Sequence, residues 1–136
     1  QFENYIAILL GQMPESCDMR GICGMQYVVE ADGSVYPCDF YVLAESRLGY
    51  FRTDTVEMID RTREEIQFIE SSLLTAEACA ECRYASLCRG GCRRTRQEEH
   101  GHHQYFCQSY KMFFDACLPG LVEIAERIGR GGRMLQ

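Results

Sequence analysis

Nine cysteines in 136 residues constrain the fold of this chain more than any other feature of its sequence. Disulfides are one explanation, but they belong to oxidising compartments, nine is an odd number and nothing in the sequence marks secretion. Thiolates are also the preferred ligands of zinc and of iron–sulfur clusters. The spacing between the cysteines decides which explanation is favoured.

Eight of the nine cysteines form two groups, which lie on either side of residues 39–78. The first group has the spacing Cys-x5-Cys-x14-Cys, and the second has Cys-x2-Cys-x5-Cys-x3-Cys-x14-Cys. Eight thiolates are the number that two tetrathiolate sites require, and the short gaps let neighbouring sulfurs converge without long loop closure. We therefore predict two metal sites. The eight ligands are Cys17, Cys23, Cys38, Cys79, Cys82, Cys88, Cys92 and Cys107.

The remaining composition is that of an ordinary folded domain, with 46% hydrophobic residues and no apolar run long enough to span a membrane. The net charge of −6 argues against nucleic acid and anionic membrane surfaces as the main partners. Basic residues cluster once, at Arg89, Arg93, Arg94 and Arg96, and we interpret them as a solvated helix face. We predict a cytoplasmic protein that binds neither membranes nor nucleic acid.

The pattern of apolar residues predicts a small α+β fold with one β-hairpin, several helices and cysteine-rich metal-binding loops. The hairpin signal is an Asp-Gly pair, Asp32-Gly33, between two β-prone runs. In chain order, the predicted elements are a helix at 2–11, the hairpin at 25–36, one or two amphipathic helices in 55–72, a knuckle loop at 79–92 and a helix at 104–128 that breaks at Pro119-Gly120.

Seven of the cysteines and one glycine form the pattern Cys23-x9-Gly33-x4-Cys38, then Cys79-x2-Cys82-x5-Cys88-x3-Cys92, and finally Cys107. This pattern resembles the seven-cysteine motif of SPASM domains, which are C-terminal extensions of radical S-adenosylmethionine enzymes that carry auxiliary iron–sulfur clusters. The additional Cys17 and the run from Tyr36 to Tyr41 resemble, more narrowly, the anaerobic sulfatase-maturating enzymes. Those enzymes oxidise a Cys or Ser of a target sulfatase to formylglycine.

The resemblance implies two [4Fe–4S] clusters whose ligands interleave along the chain. The first cluster would take Cys17, Cys23, Cys38 and Cys92, and the second would take Cys79, Cys82, Cys88 and Cys107. Spacing alone does not yield this pairing, because proximity along the chain would group Cys92 with the three cysteines before it. Cys117 has no partner in the pattern, and we expect it to be a small buried apolar residue of the last helix.

The resemblance also implies a catalytic role for Asp39, which directly follows Cys38. In the maturases the Asp at this place is proposed to be the general base that takes the proton of the substrate thiol or hydroxyl. Negative charge on a cluster with four thiolates would make a neighbouring carboxylate a stronger base. The alternative is that Asp39 only accepts hydrogen bonds from turn amides, as Asp often does.

The resemblance implies a linking helix toward a barrel (1–16), a SPASM domain (17–128) and a flexible tail (129–136). The Cys-x3-Cys-x2-Cys motif that binds the cluster for S-adenosylmethionine is absent, since Thr95 stands where its third Cys would follow Cys88 and Cys92. We therefore expect a C-terminal fragment without the radical barrel, inactive alone, whose partners are that barrel in the same polypeptide and a sulfatase polypeptide. S-adenosylmethionine would bind only the parent enzyme.

Two other functions stay open at this point. One is a SPASM domain of an enzyme that modifies a different peptide. The other is a zinc-binding structural module, since zinc accepts the same thiolates, and a protein prepared in air could hold zinc or oxidised sites. The histidines at 100, 102 and 103 fit a polar loop, because eight cysteines already fill two sites; they would matter only if zinc replaced a cluster.

Overall fold

The computed structural model describes residues 1–97 and 101–133 and confirms a small α+β fold. Within these ranges the chain forms four α-helices, five short strands and six short 3-10 helices. The α-helices are α1 (Phe2–Leu9), α2 (Val56–Glu65), α3 (Ala85–Cys88) and α4 (Cys107–Arg133). The strands are β1 (Val28–Val29), β2 (Ser34–Tyr36), β3 (Gly49–Tyr50), β4 (Arg96–Gln97) and β5 (His103–Gln104). The 3-10 helices are Cys17–Met19, Asp39–Tyr41, Ala44–Ser46, Glu70–Leu73, Glu77–Cys79 and Arg93–Thr95.

The chain divides into two compact units. The first unit comprises Gln1–Gly21 and Thr75–Gln136, so it contains α1, α3, α4 and the β4–β5 pair. The second unit is Ile22–Leu74 and contains the β1–β3 sheet and α2. No helix in the described part of the chain has both the length and the apolar character of a membrane span.

The first unit is built around the packing of α1 against α4. The ring of Tyr5 lies edge-on to Phe114 at 5.2 Å between centroids, and the ring of Tyr84 lies tilted against Phe114 at 5.1 Å. Phe114 is only 1% exposed, which makes it the centre of this core. The other buried members are Met19, Leu87 and Leu121. Burial of these large side chains supplies most of the apolar stabilisation available to this unit.

The predicted break of the last helix at Pro119-Gly120 is wrong, because α4 continues through Pro119 to Arg133. A proline inside a helix lacks the N–H for one backbone hydrogen bond and costs roughly 3 kcal/mol. Beyond the proline, however, Leu121 and Ala125 are buried, and a break would expose both. The apolar face therefore outweighs the local penalty. The helix also continues past its predicted end at residue 128.

The second unit contains an antiparallel sheet in the order β1-β2-β3. The predicted hairpin is confirmed: Val28 pairs with Tyr36 and Val29 with Val35. At its turn, the Asp32 carboxylate accepts hydrogen bonds from the Ser34 amide (2.8 Å) and the Ser34 hydroxyl (2.9 Å). These bonds hold the pKa of Asp32 below its usual value. The sequence did not predict β3, which pairs with the other edge of β2.

Helix α2 begins at a cap that the sequence specifies. The side chain of Thr55 accepts a hydrogen bond from the Met58 amide at 3.3 Å, which satisfies one of the amides that a helix start leaves without a partner. The cap fixes where Ile59 enters the core formed with Val35 and Leu48.

We expect Thr55→Ala to lower the free energy of unfolding by about 1 kcal/mol, because alanine offers no acceptor to the Met58 amide. Thr55→Ser, which keeps the hydroxyl, should cost clearly less. Urea titrations followed by circular dichroism measure both changes. Equal losses in the two variants would contradict the role of the hydroxyl.

Candidate metal centre

Four of the predicted ligands line one cavity of about 440 Å³ in the first unit. Cys79 ends a 3-10 helix, Cys88 is the last residue of α3 and Cys107 is the first residue of α4. Cys82 lies in the turn between Cys79 and α3, and donates its amide to the Cys79 carbonyl at 3.3 Å. Four thiols from two parts of the chain thus meet at one cavity. A 3-10 helix, a turn and α3 supply three of them, and the start of α4 supplies the fourth.

The turn after Cys88 needs glycine at two positions. Helix α3 ends at Arg89 in the left-handed conformation, and Gly90 and Gly91 follow with φ of 81° and 64°. A Cβ on Gly90 would lie 2.7 Å from the Thr75 methyl group, and one on Gly91 would collide with the Gln104 amide. Both positions therefore exclude side chains, by conformation and by space. The turn separates Cys88, in the cavity wall, from Cys92.

Two of the four thiols, those of Cys79 and Cys88, have raised pKa values. Burial is the largest cause that raises the pKa of the Cys88 thiol, and Cys107, Cys79 and Cys82 raise it further, while the Gly90 amide lowers it. Burial, Cys107 and Cys82 likewise raise the pKa of Cys79, and Arg96 lowers it. Metal ligands must be thiolates, so a cation bound among these groups would displace their protons. The donor set and the cavity together fit an iron–sulfur cluster.

The members of the other predicted ligand set belong to different units. Cys17 begins a 3-10 helix, and Cys92 follows Gly91; both belong to the first unit. Cys23 and Cys38 belong to the second unit, where the Cys23 amide donates to the Ser72 hydroxyl at 2.9 Å. The grouping of these four cysteines into one quartet stays a prediction.

Within the second unit, Cys38 is influenced by Cys23 and by Asp39. Burial is the main cause that raises the pKa of the Cys38 thiol to about 11; the Phe40 amide opposes it, and Asp39 and Cys23 add to it. Cys38 therefore keeps its proton at neutral pH until a cation or another positive group favours the thiolate.

Asp39 is exposed and begins the 3-10 helix Asp39–Tyr41. Its Oδ1 accepts hydrogen bonds from the Cys38 sulfur at 3.2 Å and from the Phe40 amide at 3.1 Å. Its Oδ2 makes no hydrogen bond to any residue of the described ranges. Oδ1 thus closes the turn, whereas Oδ2 of this exposed side chain stays without a hydrogen bond from the described residues. The geometry is compatible with both functions that the sequence left open.

The prediction that Arg96 belongs to a solvated helix face is wrong. The residue lies on β4, is 7% exposed, and pairs across the sheet with Gln104, which is 3% exposed. Its Nε donates to the Gly90 carbonyl at 3.0 Å and its Nη2 to the Gly91 carbonyl at 2.8 Å. Gln104 Nε2 donates to the same Gly90 carbonyl at 2.9 Å. No local signal distinguishes Arg96 from its basic neighbours, since its burial depends on carbonyls five and six residues earlier.

The remaining candidate ligands, Cys117 and the histidines, contribute less to the metal centre. Cys117 is half-buried on α4, and no disulfide joins any of the nine cysteines, all of which the structure describes. His102 is half-buried and His103 is exposed on β5, whereas His100 lies outside the described residues. Among residues 1–97 and 101–133, no three His, Cys, Asp or Glu side chains are gathered tightly enough to hold a single metal ion.

Comparison with known proteins agrees with this geometry. Residues 17–83 match the model of the SPASM family, described as an iron–sulfur cluster-binding domain. The chain therefore belongs to the proteins that carry a SPASM domain.

Individual proteins that are similar to this chain come from one class of enzyme. The chain is 46% identical over 124 residues to a cysteine-type anaerobic sulfatase-maturating enzyme of Clostridium perfringens, a match that covers 89% of this chain and 33% of the relative. It is 39% identical to the cysteine-type enzyme of Clostridium novyi, over 93% of this chain and 35% of that one. For the serine-type enzyme of Bacteroides thetaiotaomicron, the identity is 32%, over 87% and 30% of the two chains. The chain thus spans about a third of the length of these relatives.

The fold matches as well. A solved structure titled as native anSMEcpe with bound AdoMet and Cp18Cys peptide superposes with a TM-score of 0.82 at 44% identity, over 93% of this chain and 36% of that one. The same enzyme with AdoMet alone gives 0.83, again at 44% identity and over the same shares of the two chains.

Proposed function

We propose that this chain is the auxiliary-cluster domain of a radical S-adenosylmethionine sulfatase maturase. The observation that carries the proposal is the convergence of Cys79, Cys82, Cys88 and Cys107 on one cavity, in a chain that is 46% identical to part of a sulfatase-maturating enzyme. The higher identities belong to cysteine-type relatives, which favours a sulfatase cysteine over a serine as the residue oxidised.

Two [4Fe–4S] clusters fit the donor sets. Cys79, Cys82, Cys88 and Cys107 would hold the second cluster, and Cys17, Cys23, Cys38 and Cys92 the first. In a four-iron cube each thiolate binds its own iron, so the sulfurs surround a space rather than a point. A cavity of about 440 Å³ suits that arrangement better than a single zinc ion, whose four thiolates close around one atom.

The chemistry that this domain would contribute is removal of an electron and a proton. Bound clusters would supply an acceptor for one electron as the substrate is oxidised. Asp39 would take the proton of the substrate thiol on Oδ2, and the barrel of the parent enzyme would take one hydrogen atom from the β-carbon. Together these account for the two hydrogens that a Cys side chain loses when its C–S bond becomes double, before water replaces the sulfur.

The proposed partners are the radical barrel in the same polypeptide and the sulfatase polypeptide. We expect the chain alone to be inactive, because S-adenosylmethionine would bind only to the parent enzyme. A reducing compartment, the cytoplasm, suits nine cysteines none of which is in a disulfide.

Co-expression of the full polypeptide with a sulfatase that carries Cys at its modification site tests the proposal. We expect mass spectrometry to find formylglycine at that position, and a sulfatase with Ser there should be converted less. If the polypeptide binds iron but leaves the sulfatase unmodified, the proposal fails and modification of another peptide becomes the better account. If the polypeptide binds zinc instead of iron, a zinc-binding structural module becomes the better account.

A further inference from the structure

Tyr84 is a buried residue in the wall of the cavity, between two of the cysteines that line it. It directly precedes α3, and its carbonyl accepts the amides of Leu87 at 3.1 Å and of Cys88 at 2.9 Å. The Ala85 amide, next along the chain, donates to the Cys82 carbonyl at 2.9 Å. The backbone around Tyr84 is therefore bonded to both neighbouring cysteines, and their positions depend on where Tyr84 is held.

The side chain of Tyr84 joins this segment to α4. Its hydroxyl donates a hydrogen bond to Oδ1 of Asp115, and its ring lies 5.1 Å from the ring of Phe114 on the same helix. Arg83 donates to the same Asp115 oxygen, and its guanidinium carbon lies 4.7 Å from the centre of the Tyr84 ring. Cys107 is the first residue of α4, about two turns before Asp115. Tyr84 thus connects the segment that carries three of the cavity thiols to the helix that carries the fourth.

The hydrogen bond and the ring contact restrict the segment differently. Apolar packing against Phe114 is non-directional, so it tolerates some sliding of one surface over the other. A hydrogen bond has a defined length and direction, so it fixes where the segment lies along α4. The helix rises about 1.5 Å per residue, whereas metal–ligand distances are held to within roughly 0.2 Å. A slip by much less than one residue would therefore misplace Cys107 relative to the other thiols.

We propose that Tyr84 and Asp115 are positioning residues for the second cluster: their hydrogen bond fixes Cys107 relative to Cys79, Cys82 and Cys88, and thereby slows the loss of iron from that cluster. This inference rests on the proposed cluster at these four cysteines.

The physical reason is preorganisation of the ligands. A thiolate that leaves its iron returns to it quickly when the surrounding structure holds the sulfur in place. When the helix that carries Cys107 can shift, water or a chelator has more time to reach the open corner. Removal of a group that orients metal ligands typically weakens metal binding 10- to 100-fold.

Four changes separate the hydrogen bond from packing and from charge. Tyr84→Phe removes the hydroxyl and keeps the ring against Phe114. Asp115→Ala removes the acceptor, whereas Asp115→Asn keeps an acceptor oxygen without the charge. Arg83→Gln removes the cation that shares Asp115, which is an exposed ion pair and should contribute little.

The matched control is Tyr105→Phe, the same change at an exposed tyrosine two residues before Cys107. Each variant of the chain is reconstituted anaerobically with iron and sulfide and then exposed to an excess of an iron chelator. Iron release is followed by absorbance, and EPR of reduced samples shows which cluster is lost. The signal of the second cluster is assigned by its absence in Cys79→Ala.

We expect Tyr84→Phe and Asp115→Ala each to lose the second cluster about tenfold faster than the unmodified chain. The double variant should lose it no faster than the quicker single variant, because both changes remove one bond. Asp115→Asn, Arg83→Gln and Tyr105→Phe should stay near the unmodified rate. The first cluster should be lost at the same rate in every variant, which a general loss of stability would not produce.

An unchanged rate in Tyr84→Phe overturns the proposal, as do multiplying effects in the double variant, an equal acceleration for both clusters, or an equal effect of Tyr105→Phe. Should Tyr84→Phe assemble only the first cluster, Asp115→Asn decides. Assembly of both clusters in that variant supports the hydrogen bond as the cause, and loss of the second cluster overturns it. Failure of the unmodified chain to bind iron is a different outcome, because it removes the proposed function together with this inference.

Discussion

Cys88→Ala should reduce the iron content of the anaerobically reconstituted chain from about eight to about four per molecule, because the second cluster loses a corner ligand. Cys88 is half-buried and burial is the main cause that raises the pKa of its thiol, so water cannot easily take its place. The same variant should unfold at a lower temperature, since binding energy of a structural metal centre is also folding energy.

Cys117→Ala is the matched control, because Cys117 is a half-buried cysteine of α4 outside both predicted quartets. Its iron content should equal that of the unmodified chain. A loss of iron in Cys117→Ala as large as that in Cys88→Ala would contradict the assignment of ligands, and so would full iron retention in Cys88→Ala.

Double variants test the interleaved pairing itself. If Cys88 and Cys107 serve one cluster, their joint replacement by Ala should remove about four irons, no more than either change alone. Joint replacement of Cys88 and Cys92 should remove about eight, because it would damage both clusters. Grouping by proximity along the chain predicts the reverse, a loss of about eight irons for the first double variant and about four for the second. The iron content of the two double variants therefore distinguishes the two pairings.

Asp39→Asn should slow formation of formylglycine by the full polypeptide about 10²- to 10⁴-fold, the usual contribution of a general base. An amide still accepts the Phe40 hydrogen bond that closes the turn, so the backbone should stay in place. The amide cannot take a proton at neutral pH, however. Mass spectrometry of the co-expressed sulfatase measures the rate, and iron analysis shows whether the clusters persist.

Glu45→Gln is the control for this prediction, because Glu45 is an exposed carboxylate on the next 3-10 helix, Ala44–Ser46. It should leave both activity and iron content unchanged. If Asp39→Asn loses iron in parallel with activity, Asp39 serves the structure of the turn. If the variant keeps full activity, Asp39 is not the base.

The parts of the fold that the sequence predicted are those with local causes. The hairpin depends on Asp32 and Gly33, which form the turn through contacts within a few residues. The capped start of α2 depends on Thr55 in the same way. Strand β3 was not predicted because its two residues owe their extended conformation to pairing with β2. The sequence near Gly49 contains no signal for that pairing.

The misplaced features have non-local causes. The break at Pro119 follows from local rules, but the burial of Leu121 and Ala125 in the first unit overrides them. Arg96 is charged and stands among other arginines, so composition places it in solvent, whereas the carbonyls of Gly90 and Gly91 hold it inside. In both cases the deciding partner is distant along the chain or adopts its conformation only after folding.

The candidate site likewise has one part that the sequence predicts and one part that depends on the folded structure. Spacing predicted that eight cysteines form two sets of four, because that conclusion needs only ligand number. It could not assign Cys107 rather than Cys92 to the set with Cys79, since the choice depends on where α4 begins relative to α3. The structure brings Cys107 to the cavity through the start of α4. The assignment of ligands to clusters stays a prediction from the resemblance to sulfatase maturases for both sets.

The central claim is that this chain holds two four-iron clusters, and Mössbauer spectroscopy with iron analysis of the anaerobically reconstituted chain measures it most directly. We predict about eight irons per chain, all in four-iron clusters with sulfur ligands. Retention of zinc in place of iron, or iron that remains mononuclear around the cavity thiols, would contradict it.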